Sequence, residues 1–160
     1  MAIEDTFNGA KNVYTLYFAY QNMVAQEIGM ERASALGTKM CEAMGAMQGK
    51  MSKEQAGIEE FDARTAYPLV KNFVESIGVS SKVIEESPQK VVARGGRCPI
   101  YEAAQMMGLD GKAIETLVCC SGSIKFLDAM VKQLNPNLSV RIRKFRSSAD
   151  DFCEEEIVLG

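Results

Sequence analysis

Ser80-Ser81-Lys82-Val83-Ile84-Glu85-Glu86-Ser87-Pro88-Gln89-Lys90-Val91-Val92-Ala93-Arg94-Gly95-Gly96 is where the texture of this 160-residue chain changes. Two short β-prone runs, 82–85 and 90–93, flank the turn-forming Glu86-Ser87-Pro88-Gln89, and Gly95-Gly96 ends the second run, which reads as a hairpin. Before this hairpin, apolar residues recur at helical rather than strand spacing. Ile3, Phe7, Ala10, Tyr14, Tyr17, Val24 and Ile28 mark one face of a long first helix ending near Gly29. Ala33, Leu36, Met40, Met44, Met47 and Met51 stripe a second helix, with Gly37, Gly45 and Gly49 leaving room for a neighbouring backbone. The spacing predicts that these two helices pack together and that their tyrosine and methionine stripes are ordinary core; the alternatives are the lining of an apolar ligand pocket or a dimer face. Asp62 is placed to cap a third helix reaching Gly78, with Val70, Phe73, Val74 and Ile77 as the buried face and Pro68 at its start or at a kink.

After the hairpin, Pro99 suits the first position of a helix through Met107, which Gly108 stops, and Asp110 can cap the next one. The segment 113–134 is helical in pattern, interrupted at Ser121-Gly122-Ser123 and ended by Asn135-Pro136. Residues 139–146 and 153–159 alternate loosely and are joined by the polar Ser147-Ser148-Ala149-Asp150-Asp151, which predicts a second antiparallel pair. The expected fold is α+β: one domain, helical over 1–79, then a mixed part over 80–160 in which helices cover one face of an antiparallel sheet of about four strands.

An apolar fraction of 47% supplies one core without disulfides. With 18 basic and 21 acidic residues and no block of like charge, nothing points to a nucleic-acid partner. No stretch has the roughly 20 apolar residues of a membrane span, and Met-Ala-Ile-Glu-Asp lacks signal-peptide character, so a cytoplasmic location is expected. Five cysteines at irregular spacing suit a reducing compartment. Histidine is absent, which removes the usual general base and the commonest metal ligand.

Chemistry therefore falls to cysteines, carboxylates, Tyr, Lys and Arg. Cys98 would cap a helix N-terminus beside Arg97, where dipole and charge favour its thiolate; the plainer alternative is a buried thiol that packs. Glu102, four residues on, would stand one turn above it as a proton shuttle or complement the helix dipole. Adjacent helical residues diverge by about 100°, so only one of Cys119 and Cys120 can face a given site, leaving the other for the core. Asp128 returns to a face similar to that of Cys120. Cys153 follows Asp150-Asp151-Phe152, so a turn can present a carboxylate and a thiol together. A divalent metal would take Cys98, Cys119 or Cys120, and Cys153, with a carboxylate or water as fourth ligand, but no C-x-x-C or standard zinc spacing is present. Glu154-Glu155-Glu156 reads as a solvated or edge-protecting run.

Taken in order, Arg97-Cys98-Pro99-Ile100-Tyr101-Glu102-Ala103, the Cys119-Cys120 helix with Asp128, Leu134-Asn135-Pro136-Asn137-Leu138 and Asp150-Asp151-Phe152-Cys153 resemble the L-2-amino-thiazoline-4-carboxylic acid hydrolase family over roughly residues 90 to 160. The resemblance implies hydrolytic opening of a cyclic amidine bearing a carboxylate. It carries Cys98, Glu102, Asp151 and Cys153 over as catalytic candidates, with Arg97, Tyr101, Asp128 and Asn135 as substrate-binding ones, Arg97 as the carboxylate clamp. The chain departs from the family pattern after Cys153, where Glu154-Glu155-Glu156 stands in place of an expected aromatic two residues on. A second reading, a ligand- or metal-binding sensor domain without catalysis, rests on similarity to the 4-vinyl-reductase group, which also combines helices, an antiparallel sheet and late cysteines. A third is an assembly subunit that forms a homo-oligomer through the N-terminal helices.

Overall fold

The computed structural model describes residues 3–160; Met1, Ala2 and the side chain of Ile3 lie outside the described residues. Helix α1 (Ile3–Ile28) and helix α2 (Met30–Ala56) are separated only by Gly29, whose φ of 88° is open to glycine without a Cβ penalty. Helix α3 (Ala63–Ser76) opens on a reciprocal capping box: Asp62 Oδ1 accepts from the Thr65 backbone N–H at 2.8 Å, and Thr65 Oγ1 accepts from the Asp62 N–H at 2.9 Å. Pro68 lies inside this helix on its exposed side, not at its start.

Strands β1 (Ser81–Glu86) and β2 (Lys90–Gly95) form the first hairpin; β3 (Leu138–Lys144) and β4 (Cys153–Leu159) form the second. All neighbours are antiparallel, and the order β1-β2-β4-β3 joins the hairpins through β2 and β4. The last strand is therefore an inner one, and its three glutamates do not protect an edge. Alternation divides them. Glu154 pairs with Arg94 at 2.9 Å and Arg143 at 3.7 Å, and Glu156 pairs with Arg141, all on the outer face of the sheet. Glu155 shares the inner face with Cys153 and the core residue Ile157.

Helix α4 (Pro99–Met106) follows the first hairpin, with Cys98 at its N-cap as the sequence predicts. Asp110 caps the short α5 (Gly111–Ala113), its Oδ1 accepting from the Ala113 N–H at 2.8 Å. The chain then runs without a break into a π-helix (Ile114–Ser123) and helix α6 (Ile124–Leu134). Where the sequence suggests an interruption at Ser121-Gly122-Ser123, the structure has a wider helix that begins seven residues earlier than Ser121, at Ile114.

Helix α2 touches α1 but packs chiefly on α6, and it does so through glycine rather than methionine. A Cβ added at Gly45 or Gly49 would collide with the Phe126 or Met130 carbonyl. Lys53 Nζ donates to the Gln133 and Leu134 carbonyls at 3.3 and 3.1 Å, satisfying the C-terminal end of α6. The stripe expected to be core, Leu36, Met40, Met44, Met47 and Met51, is exposed instead. Helical period fixes a stripe but not which stripe meets a neighbour, and small residues permit the closer backbone approach.

Two apolar clusters result. One joins α3, α6 and the sheet around Val70, Val91, Met130, Leu138 and Ile157; the other joins α4 and the π-helix around Ile100, Tyr101, Ala104, Ile114 and Val118.

Candidate functional site

Between the two clusters the molecule holds a mainly apolar cavity of about 390 Å³. Its floor is the inner face of β2 and β4, at Ala93, Gly95, Cys153 and Glu155. Tyr14 and Phe18 of α1 and Gly37 and Cys41 of α2 form the roof. The π-helix supplies Val118 and Cys119, and the start of α4 supplies Cys98 and Tyr101. Thr38 Oγ1 donates to the Ser121 carbonyl at 2.8 Å, fastening the π-helix to the roof. Asn22, Met30, Met107 and Leu117 line the cavity and are exposed, so they mark its rim.

Among the described residues, two charged side chains reach this space. Arg146 is 3% exposed. Its Nε donates to Cys153 Sγ at 3.3 Å, and its terminal nitrogens donate to the carbonyls of Ala149 at 3.4 Å, Gly95 at 3.5 Å and Gly96. The guanidinium thus clips the β3–β4 loop to the end of β2. Glu155 is different: among the described residues its carboxylate has no hydrogen-bond or ion-pair partner, because the register sets it opposite Ala93 on β2 and Ile142 on β3. Burial pushes its pKa up, with Arg146 pulling the other way.

The thiols follow the same logic. Burial pushes Cys98 up to about 11, against the weaker pull of the Tyr101 N–H, the Arg146 charge and the Ile100 N–H. Desolvation thus outweighs the thiolate stabilisation expected at the helix N-terminus. Burial also raises Cys41 and Cys119, and pushes Tyr14 up to about 12. These acids are held neutral by a common low-dielectric space.

Of the residues singled out from sequence, Cys98, Tyr101, Cys119 and Cys153 meet at the cavity. Arg97, Glu102, Asp128, Asn135 and Asp151 do not. Cys98 is extended (φ −127°, ψ 118°), so the helical step begins only at Pro99 and Glu102 is not stacked over the thiol. Glu102 pairs instead with Arg97 at 2.9 Å and Lys11 at 3.5 Å, tying α4 to α1, while Arg97 lies over the Phe7 ring at 4.4 Å. Asp128 accepts from the Val140 N–H at 3.0 Å and pairs with Lys132, fixing α6 to β3. Asn135 donates to the Phe61 carbonyl at 2.7 Å and accepts from the Asn137 N–H at 2.9 Å. Asp151 pairs with Lys144 at 2.7 Å and accepts from the Ser147 N–H at 2.9 Å; these partners, Lys144 foremost, hold its carboxyl well below the usual range. Cys120 is exposed rather than in the core. Among the described residues, no group of three or more Cys, Asp or Glu is placed to hold a metal ion.

Sequence reasoning missed Cys41, Arg146 and Glu155 as cavity residues, while Tyr14 belongs to the stripe for which an apolar pocket is the alternative to core. A signal existed for two of them. Ala33, Gly37 and Cys41 recur every four residues beside the methionine stripe, and period-two alternation from Cys153 puts Glu155 on its face. Arg146 lies beyond the end of β3, where no period applies.

No helix among the described residues is long and apolar enough to cross a membrane. No family model and no curated protein matches the chain. Among solved structures, the chain is similar to the phenol-responsive sensory domain of the transcription activator PoxR, crystallised with phenol: TM-score 0.69 at 13% identity, over 91% of this chain and 74% of that one. It is also similar to subunit 3 of a trafficking protein particle complex from Naegleria fowleri, covalently bound to palmitic acid: TM-score 0.55 at 14% identity, over 95% of each chain. At such identities the likeness is one of fold.

Proposed function

We propose that this chain is a ligand-binding domain of the sensory kind, which takes a compact, largely apolar ring compound into the cavity between its two cores. The cavity carries the reading: its 390 Å³ lies within the range of about 300–1,000 Å³ usual for small-molecule sites, and a few polar groups converge on apolar walls. The fold likeness to a phenol-responsive sensory domain supports it.

The hydrolase reading implied by the resemblance competes for the same cavity. It requires an activated nucleophile and a proton carrier side by side. Cys98 and Cys153 line the cavity, but burial keeps Cys98 protonated, and Glu102 and Asp151 are committed to ion pairs elsewhere. Those surroundings favour binding over turnover.

Thermal unfolding of the intact chain with phenol, indole and benzylamine tests the proposal. At about ten times Kd, a ligand specific for the folded state raises Tm by roughly 3–6 °C for a domain of this size. Ala93→Leu fills the cavity floor and is expected to abolish the shift while leaving the circular dichroism spectrum unchanged. No shift with any of the three compounds, or an equal shift in Ala93→Leu, would sink the proposal.

A further inference from the structure

Among the described residues, Glu155 is the one carboxylate that reaches the cavity, and its surroundings determine what it can bind. Across β2 it faces Ala93 and across β3 it faces Ile142, neither of which can donate a hydrogen bond. Among the described residues, the titratable and charged groups turned to the same space are Arg146, Cys98, Tyr101, Cys119 and Cys153 from the floor and walls, and Tyr14, Tyr17 and Cys41 from the roof. Arg146 gives four of its five N–H groups to three main-chain carbonyls and the Cys153 sulfur, so it acts chiefly as a fixed background charge. Burial pushes up the pKa of Cys98, Cys119, Cys41, Tyr14 and Tyr17, which favours their neutral forms. That leaves a carboxylate with both oxygens open in a mainly apolar chamber. Such a group is costly while unpaired and becomes favourable once it is paired and hydrogen-bonded.

We infer that Glu155 makes the cavity selective for ring compounds carrying a protonated amine, and that carboxylate-bearing ligands are excluded. This rests on the cavity being a ligand site. An ammonium group gives N–H···O bonds to the Glu155 carboxylate, and that pairing relieves the burial that disfavours the unpaired charge. An anionic ligand would face the Glu155 carboxylate, while four of the five Arg146 N–H groups are already given to Cys153, Ala149, Gly95 and Gly96.

Calorimetric titration of the full chain at pH 8 with benzylamine, benzyl alcohol and benzoate, which share a ring and differ in charge, tests this. Benzylamine should bind on the order of ten- to a hundredfold more tightly than benzyl alcohol, with benzoate weakest, since a charge-assisted hydrogen bond replaces a neutral one. Glu155→Gln should lose that preference while its affinity for benzyl alcohol stays within about threefold, the isostere keeping the shape of the wall. Equal affinity for amine and alcohol in the parent chain, tighter binding of benzoate, or an unchanged amine preference in Glu155→Gln would overturn the assignment. Binding of the alcohol without preference for the amine would overturn it alone; failure of all three compounds would remove the ligand-site proposal with it.

Discussion

Glu155 is a group whose folded environment favours its protonated form, and that has a consequence for stability. A carboxyl with a raised folded pKa contributes stability in full below its unfolded value near 4.5, and loses it as pH rises through the folded value. Glu155→Gln removes the titration. Urea unfolding at pH 4 and pH 8 should therefore show the variant gaining on the parent chain as pH rises, and parallel pH dependence of the two would contradict it. Cys98 shows how far single residues can be read. Its place at an N-cap followed from Pro99 alone. Its protonation did not, because the burial that sets it comes from segments far away in sequence: Tyr14, Cys119 and Cys153 all line the same space.

Helix α2 raises the matter of faces. Its methionines and its glycines both recur at helical spacing, and the structure buries the glycine face against α6 while exposing the methionine face. Gly45→Ala is expected to lose about 1–3 kcal/mol in urea unfolding, the usual cost of overpacking, because the new methyl group meets main chain that cannot rotate away. Gly9 in α1 is exposed and has nothing within 4 Å of an added Cβ, so Gly9→Ala should gain about 0.5–1 kcal/mol from helix propensity. No loss at Gly45, or a gain like that at Gly9, would contradict the close α2–α6 approach. The elements themselves were legible: the capping box at Asp62, both hairpins and the end of α1 at Gly29 lie where local chemistry puts them. The π-helix was not, since its residues carry an ordinary helical pattern and only the backbone i→i+5 bonds, such as the Ile124 N–H to the Cys119 carbonyl, distinguish it.

For the whole molecule, strand order is what makes the cavity. Both hairpins could be read locally, but their joining through β2 and β4 is a long-range choice that no period encodes, and it alone moves Cys153 and Glu155 from a supposed edge to the centre of the floor. The same choice separates the two apolar clusters and leaves a chamber between them, while the polar residues of the late motifs, Asn135 and Asp151, become turn and loop supports. The candidate site was thus legible in its sulfur atoms and not in its charges.

The most direct measurement is a crystal structure of the chain soaked with benzylamine. The account predicts one ring between the Tyr14–Phe18 roof and the Ala93 floor, with its nitrogen within hydrogen-bond distance of Glu155. An unoccupied cavity with the compound seated on the exposed methionine face of α2 would contradict it.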